Sequence, residues 1–369
     1  MSLKSSSRLA RGMAAAFLIA TASSPLSAEK IDSAAGQLQV DRIVSGLDAP
    51  WAVGFLPEGG LLITERDGAL LLAREGQVNR VAGLPDIAAD GQGGLLDVLI
   101  PRDFAQRREL FMTYAQPFGR RSATAVLRAK LSDDGARLLE TKTIFTIAEP
   151  TNSGRHFGSR LVEAPDGHLF VTIGDRGDRP SAQDTGNHNG TVLKITRDGA
   201  AAPGNPGFDQ PEIWSYGHRN PQGAALDASG QLYVVEHGAR GGDEVNRVQR
   251  GANYGWPVIS YGRHYSGLKI GEGTTRDGME QPEHYWDPSI APSGMMIYSG
   301  ALWPQWEGDI FVGSLKFDYI SRLSGSDISE VEQISGPMTN RVRDVREGPN
   351  GGIWFLSVGE GALYRITPG

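Results

Sequence analysis

The sequence predicts an all-β fold, a six-bladed β-propeller of four-stranded antiparallel blades with the ring closed by an N-terminal strand. Three observations carry that reading. First, a turn cluster followed by a short apolar strand recurs along the chain, with strands starting at residues 61, 110, 169, 232, 310 and 353. Second, each copy is followed by another short strand that ends near a basic or polar residue. Third, after residue 30 there is almost no 3.6-residue apolar periodicity to support helices. Paired short strands repeating at this period are the sequence signature of propeller blades. Glycine supports it: 49 of 369 residues is nearly twice the usual share of about 7%, as many tight turns would require.

The first strand of each pair reads LLIT (61–64), LFMTY (110–114), LFVTI (169–173), LYVV (232–235), IFVG (310–313) and IWFLS (353–357). The second reads ALLLA (69–73), AVLRAK (125–130), TVLKIT (191–196), EVNRV (244–248), YISRLS (319–324) and ALYRIT (362–367). With strands lettered A to D from the axis outward, these are B and C. The sixth C strand lies at the end of the sequence, so its blade needs an outer strand from elsewhere. The alternating segment Leu38 to Gly46 (LQVDRIVSG) is expected to supply it and so cover an exposed edge.

Ahead of that segment, Lys4, Arg8 and Arg11 precede an apolar run from Met13 to Ala20 and a small-residue stretch ending Leu26-Ser27-Ala28. The run is too short for the roughly 20 residues of a membrane helix. It reads as a signal peptide over 1–28, leaving 29–369 as one propeller domain, exported, soluble and, in a bacterium, periplasmic. Cysteine is absent, which excludes disulfides, thiolate metal sites and cysteine nucleophiles. A formal net charge of −7 argues against nucleic acid or an anionic membrane as partner.

Blade topology sorts the polar residues. Segments entering A strands and leaving B strands share one face, and there the sequence is chemically unusual. Entering A strands are Gln92, His156, the run Arg219-Asn220-Pro221-Gln222, and Arg341 with Arg343; leaving B strands are Arg66, Asp175, His237 and Lys316. Arg219, Lys316, Arg341 and Arg343 on one rim of an acidic protein suit an anionic ligand. The spacing of Arg341 and Arg343 puts both on one side of a strand. His156, between Gly154 and Gly158, is a candidate general base, with Asp175 placed to fix its tautomer. The stretch Glu236 to Gly255 is rich in oxygen donors and suits a hard cation such as calcium.

These segments, DGQGGLLD, SGRHFGSRL, TIGDRGD, YGHRNPQG, EHGARGGDEVN, GSLK and RVRDV in that order, resemble the soluble pyrroloquinoline quinone (PQQ)-dependent sugar dehydrogenases, in particular the aldose sugar dehydrogenase branch. The resemblance runs from about Val40 to the C-terminus. It implies oxidation of aldoses at C1 to the lactone, with His156 as base, Asp175 orienting it, and Arg219 stabilising developing negative charge. It implies that Gln92, Arg219, Asn220, Gln222, Tyr265, Lys316, Arg341 and Arg343 hold PQQ. It further implies that the carbonyls of Gly238 and Ala239 place a calcium ion, and that Glu244 and Tyr254 ligate another. Electrons would leave to an external acceptor, a cytochrome or quinone, from a monomer or homodimer. Two other readings stay open at this stage: a calcium-dependent lactonase-type hydrolase, and a non-catalytic sugar- or protein-binding propeller.

Overall fold

The computed structural model describes residues 29–369, so the expected signal peptide lies outside the described residues. Six antiparallel sheets follow one another along the chain. Blade 1 runs from Pro50–Phe55 to Gln77–Arg80, blade 2 from Leu95–Leu99 to Leu138–Thr146, and blade 3 from Leu161–Glu163 to Ile213–Tyr216. Blade 4 runs from Pro221–Leu226 to His284–Trp286, and blade 5 from Pro292–Ile297 to Ser329–Ser335. The innermost strands pack against their neighbours around the ring.

Blade 6 takes Val342–Glu347, Ile353–Ser357 and Ala362–Pro368 from the C-terminus and Gly36–Ser45 from the N-terminus. The closing strand pairs antiparallel with Ala362–Pro368, Val40 opposite Ile366 and Leu38 opposite Pro368. The expected closure is therefore observed, with one addition. A fifth strand, Glu29–Ser33, turns back at Ser33 and Gly36 and covers the outer edge of the closing strand.

Sheets face sheets around the ring, so B strands are buried on both sides. Leu61–Glu65 and Leu169–Ile173 are buried at every position, which explains continuous apolar runs where a one-sided sheet would alternate. Leu62, Leu70, Leu95, Val98, Leu110, Met112 and Tyr114 form the packing between blades 1 and 2. Each such side chain contributes about 1.5–3 kcal/mol on burial. The threonine in the first three B strands has a separate task. Thr64 donates to the carbonyl of Leu96 at 2.5 Å, Thr113 to Ser159 at 2.7 Å, and Thr172 to Pro221 at 2.8 Å. Each bond ties one blade to the start of the next and satisfies a buried carbonyl. The second and third anchor the segments that carry His156 and Arg219.

Candidate active site

His156 enters the inner strand of blade 3 and Asp175 leaves the strand beside it, so the hairpin brings them together. Nδ1 of His156 lies 2.6 Å from Oδ1 of Asp175. The backbone of His156 has φ of 57°, a left-handed conformation that a non-glycine residue holds only when its surroundings enforce it. Here they do: Oε1 of Gln92 accepts the His156 N–H at 2.7 Å. Gly174 lets the strands close up, since a Cβ there would collide with the His156 carbonyl.

Asp175 is fully buried and receives three hydrogen bonds: from the His156 ring, from the Gly177 N–H at 2.7 Å, and from the indole N–H of Trp256 at 2.8 Å. Burial alone would push its carboxyl up; the bonds from His156 and Gly177 outweigh it and hold the group below the usual carboxylate range. A charged Asp175 makes Nδ1 of His156 the protonated nitrogen and leaves Nε2 as a bare lone pair. Burial, opposed by Asp175 and aided by the charge of Arg219, keeps the imidazole pKa below its ordinary value. His156 is thus a neutral base at neutral pH.

Arg219 is 6% exposed. Its N–H is accepted by Glu236 at 2.5 Å, its Nη1 donates to the His237 carbonyl at 3.0 Å, and its guanidinium lies 5.2 Å from the centre of the Trp256 ring. Its Nε is buried with no partner among the described residues. A buried, unpaired guanidinium donor costs of the order of 1–3 kcal/mol, which an anionic ligand would relieve.

The adjoining cavity, about 630 Å³, is lined by Trp51, Arg66, Gln92, Gln222, His237, Lys316, Arg341 and Arg343, among others. His156 and Arg219 sit at its border, joined to it through Gln92 and His237. Arg343 donates to Oε1 of Gln222 at 2.7 Å. Burial and the neighbouring charges of Arg160, Arg341 and Arg66 bring its pKa down to about 9, the mark of a positive field in need of anions. Arg341 reaches the same rim by another route than expected. The strand begins at Val342, and Arg341 stands before it with φ of 55°. A backbone kink, not the pleat, directs it there, and its Nη1 donates to the Leu315 carbonyl at 3.0 Å.

The remaining expected residues divide. Asn220 is buried and its Oδ1 accepts the Gly158 N–H at 3.1 Å, which makes it a brace for the His156 loop; it is not among the residues that line the cavity. Tyr265 stands apart from the cavity lining, 73% exposed. Gly238 and Ala239 form a tight buried turn, with Asp243 accepting the Gly238 N–H at 2.8 Å. Burial, reinforced by repulsion from Glu236, pushes the Glu244 carboxyl up to about 8; Glu236 is buried and bound to His218, Asn246 and the Arg219 N–H, while Glu244 is half-buried and is the carboxylate of the pair with oxygens to offer a hard cation. Tyr254 stacks on His218 at 4.5 Å, and its hydroxyl is committed to Arg247 and Gln249, so only its backbone is free to ligate.

Sequence reasoning missed Trp256 and Trp51. Trp256 locks Asp175 and flanks Arg219 from a loop 81 positions away. Trp51 forms part of the cavity wall, with the Arg160 guanidinium 4.5 Å from its ring centre. Its place at the start of the blade 1 inner strand was the available signal.

A family model described as glucose/sorbosone dehydrogenase matches residues 47–365. Aldose sugar dehydrogenase YliI of Escherichia coli (strain K12) is 40% identical over 91% of this chain and 94% of its own length. Quinoprotein glucose dehydrogenase B of Acinetobacter calcoaceticus is 26% identical over 85% of this chain and 84% of its own. The crystal structure of the soluble aldose sugar dehydrogenase from Escherichia coli in the apo-form superimposes with a TM-score of 0.85 at 39% identity, covering 90% of this chain and 100% of that one. A base held by a buried carboxylate beside a cationic cavity thus sits on a chain that belongs to the glucose/sorbosone dehydrogenase family, six-bladed propellers that oxidise sugars.

Proposed function

We propose that this protein oxidises aldoses at C1 to the lactone with PQQ and calcium, in the bacterial periplasm, and passes the electrons to an external acceptor. The observation that carries the reading is the neutral His156, tautomerically fixed by Asp175, at the border of a cavity where Arg66, Lys316, Arg341 and Arg343 outnumber the one carboxylate of the lining, Asp318. A tricarboxylated quinone matches that donor set, and the quinoprotein relative supports the class of cofactor. A lactonase-type metal centre would instead call for unpaired carboxylates converging on the channel axis, whereas Asp97 and Asp344 are each bound to Arg160 and Arg346.

When bound, PQQ would supply a hydride acceptor for C1 and calcium would supply Lewis-acid polarisation. This chain's residues supply the rest. Nε2 of His156 takes the proton of the anomeric hydroxyl, so that proton and hydride leave the same carbinol and a C=O bond forms. Asp175 stabilises the imidazolium produced. The unpaired Nε of Arg219 is placed to meet negative charge that develops on an oxygen of the bound ligand, a contribution of about 3 kcal/mol for one well-placed donor. Lys316, Arg341 and Arg343 would hold carboxylates, and the carbonyls of Gly238 and Ala239 would hold calcium.

The test is dye reduction by the purified apoprotein with an aldose panel. Turnover that requires both PQQ and calcium is expected; no turnover, with lactone hydrolysis in its place, would overturn the reading. Arg343→Ala is expected to weaken PQQ binding by at least tenfold, since a charged hydrogen bond is worth about 1.5–3 kcal/mol. Unaltered reconstitution would remove Arg343 from the clamp.

The pH dependence has a definite sign. A base with a lowered pKa stays deprotonated at neutral pH, so kcat/KM should be flat there and fall only in the acid, with its midpoint below 6.5. An acid midpoint above 6.5 would contradict the desolvated base.

A further inference from the structure

Blades 4 to 6 supply the cations assigned to an anionic cofactor, but two arginines on blade 3 have no such assignment. Arg155 precedes the base in the chain. Its exposed side chain lies across Gly177, where a Cβ would stand 3.4 Å from Cγ and Cδ of Arg155. Gly177 in turn donates its N–H to Asp175. Arg179 opens the 3-10 turn Arg179–Gln183 and approaches the same carboxylate from the side of Trp256. Its guanidinium lies 5.5 Å from the centre of that ring, whose indole N–H is bound to Asp175. Nη1 of Arg179 donates to Nδ1 of His264 at 2.9 Å, which braces the half-buried side chain. The charge of Arg155 reaches the His156 ring, and that of Arg179 reaches Arg219.

Among the described residues neither arginine forms an ion pair with a carboxylate. Asp90, beside Gly154, and Asp178, just before the turn, are exposed and pair with neither. An aldopyranose that presents C1 to Nε2 of His156 carries its remaining substituents outward, where these two cations stand against two different partners of Asp175. A neutral sugar leaves both guanidinium groups to water. An anionic one is drawn in by their charge and held by charge-assisted hydrogen bonds.

We propose that Arg155 and Arg179 bind an anionic group of the substrate, so that the protein prefers acidic aldoses, sugars with a carboxylate or phosphate away from C1, over neutral ones. The inference rests on the sugar-oxidation reading above, with His156 as base. The acidic group takes no part in the chemistry: C1 gives its hydroxyl proton to His156 and its hydride to PQQ as before, and the product is the lactone of the acidic sugar.

The experiment measures kcat/KM by dye reduction for glucose, glucuronate and glucose 6-phosphate. It compares the wild-type protein loaded with PQQ and calcium, the double variant Arg155→Gln, Arg179→Gln, and the double variant Arg155→Lys, Arg179→Lys. In wild type, kcat/KM for at least one acidic sugar is expected to exceed that for glucose by at least tenfold, and the sugar preferred tells carboxylate from phosphate. The double Gln variant should lower the acidic-to-neutral ratio at least tenfold, chiefly through KM. The double Lys variant should recover part of it, since the charge returns without the planar fork. A wild-type ratio at or below one for both acidic sugars would overturn the proposal. So would a ratio that the Gln pair leaves unchanged, because the general positive field of the cofactor cavity would then be the cause, or a loss that the Lys pair does not recover even in part. A loaded wild type that oxidises none of the three sugars would sink the functional reading and this inference with it. If a double variant does not fold, the single variants serve in its place.

Discussion

His156→Gln should lower kcat for aldose oxidation by on the order of 10³, within the range that general-base catalysis contributes, while PQQ affinity changes less than twofold. The size follows from what is lost. Gln keeps a polar group in the cavity but cannot take a proton, so the anomeric hydroxyl must give it to water. The binding arm follows from the geometry. The side chain of His156 spends its one internal contact on Asp175, and the loop around it is held by other groups: Gln92 on the His156 N–H, Asn220 on Gly158, and Arg176 donating to the carbonyls of Arg155 and Ser153 at 2.7 and 2.8 Å. The clamps for an anionic ligand lie on blades 4 to 6. Single-turnover reduction of bound PQQ, followed by its absorbance, separates the chemical step from electron export. A variant with wild-type single-turnover rate would remove His156 as the base.

How much of this could be read from the sequence depends on which residues lie close along the chain. The B and C strands were legible because both faces of each B strand are covered by a neighbouring blade, as the uniform burial of Leu169–Ile173 records. His156 and Asp175 were legible as a pair because one hairpin separates them. Ring closure was legible because Gly36–Ser45 alternates between buried and exposed positions at Leu38 and Val40. Its companion Glu29–Ser33 was not, since it buries only Ile31 and carries no apolar period. Trp256 was hidden for a different reason. It reaches Asp175 from a long irregular loop, where no strand register relates the two positions. The unpaired nitrogen of Arg219 was equally out of reach, because a missing partner is a property of three-dimensional packing and not of spacing.

The second large effect is expected on stability, beneath the cavity. Four charges from three inner strands meet in the channel: Asp97 of blade 2, Arg160 at the start of blade 3, and Asp344 and Arg346 of blade 6. Arg160 lies 3.1 Å from both Asp97 and Asp344, and Arg346 lies 2.5 Å from Asp97 and 2.9 Å from Asp344. Asp97 is fully buried and also accepts the N–H groups of Val98 and Leu161 at 2.9 and 2.7 Å. Two positive and two negative charges balance within the cluster, although Arg160, next to Arg343, still adds to the positive field of the cavity above. Asp97→Asn keeps the shape and removes one charge, leaving the buried Arg160 and the half-buried Arg346 to share Asp344. Breaking a buried pair in this way costs about 3–5 kcal/mol. For a domain of this size that corresponds to a fall of about 4–7 °C in Tm, by the usual scaling of unfolding entropy with length. The cluster joins blades that are far apart in sequence, so the loss should appear as destabilisation of the whole ring, in a single unfolding transition. Adding chloride should recover part of it, because an anion can enter the channel in place of the lost carboxylate. An Asp97→Asn protein with wild-type Tm would mean that the four charges are solvated and carry no structural weight.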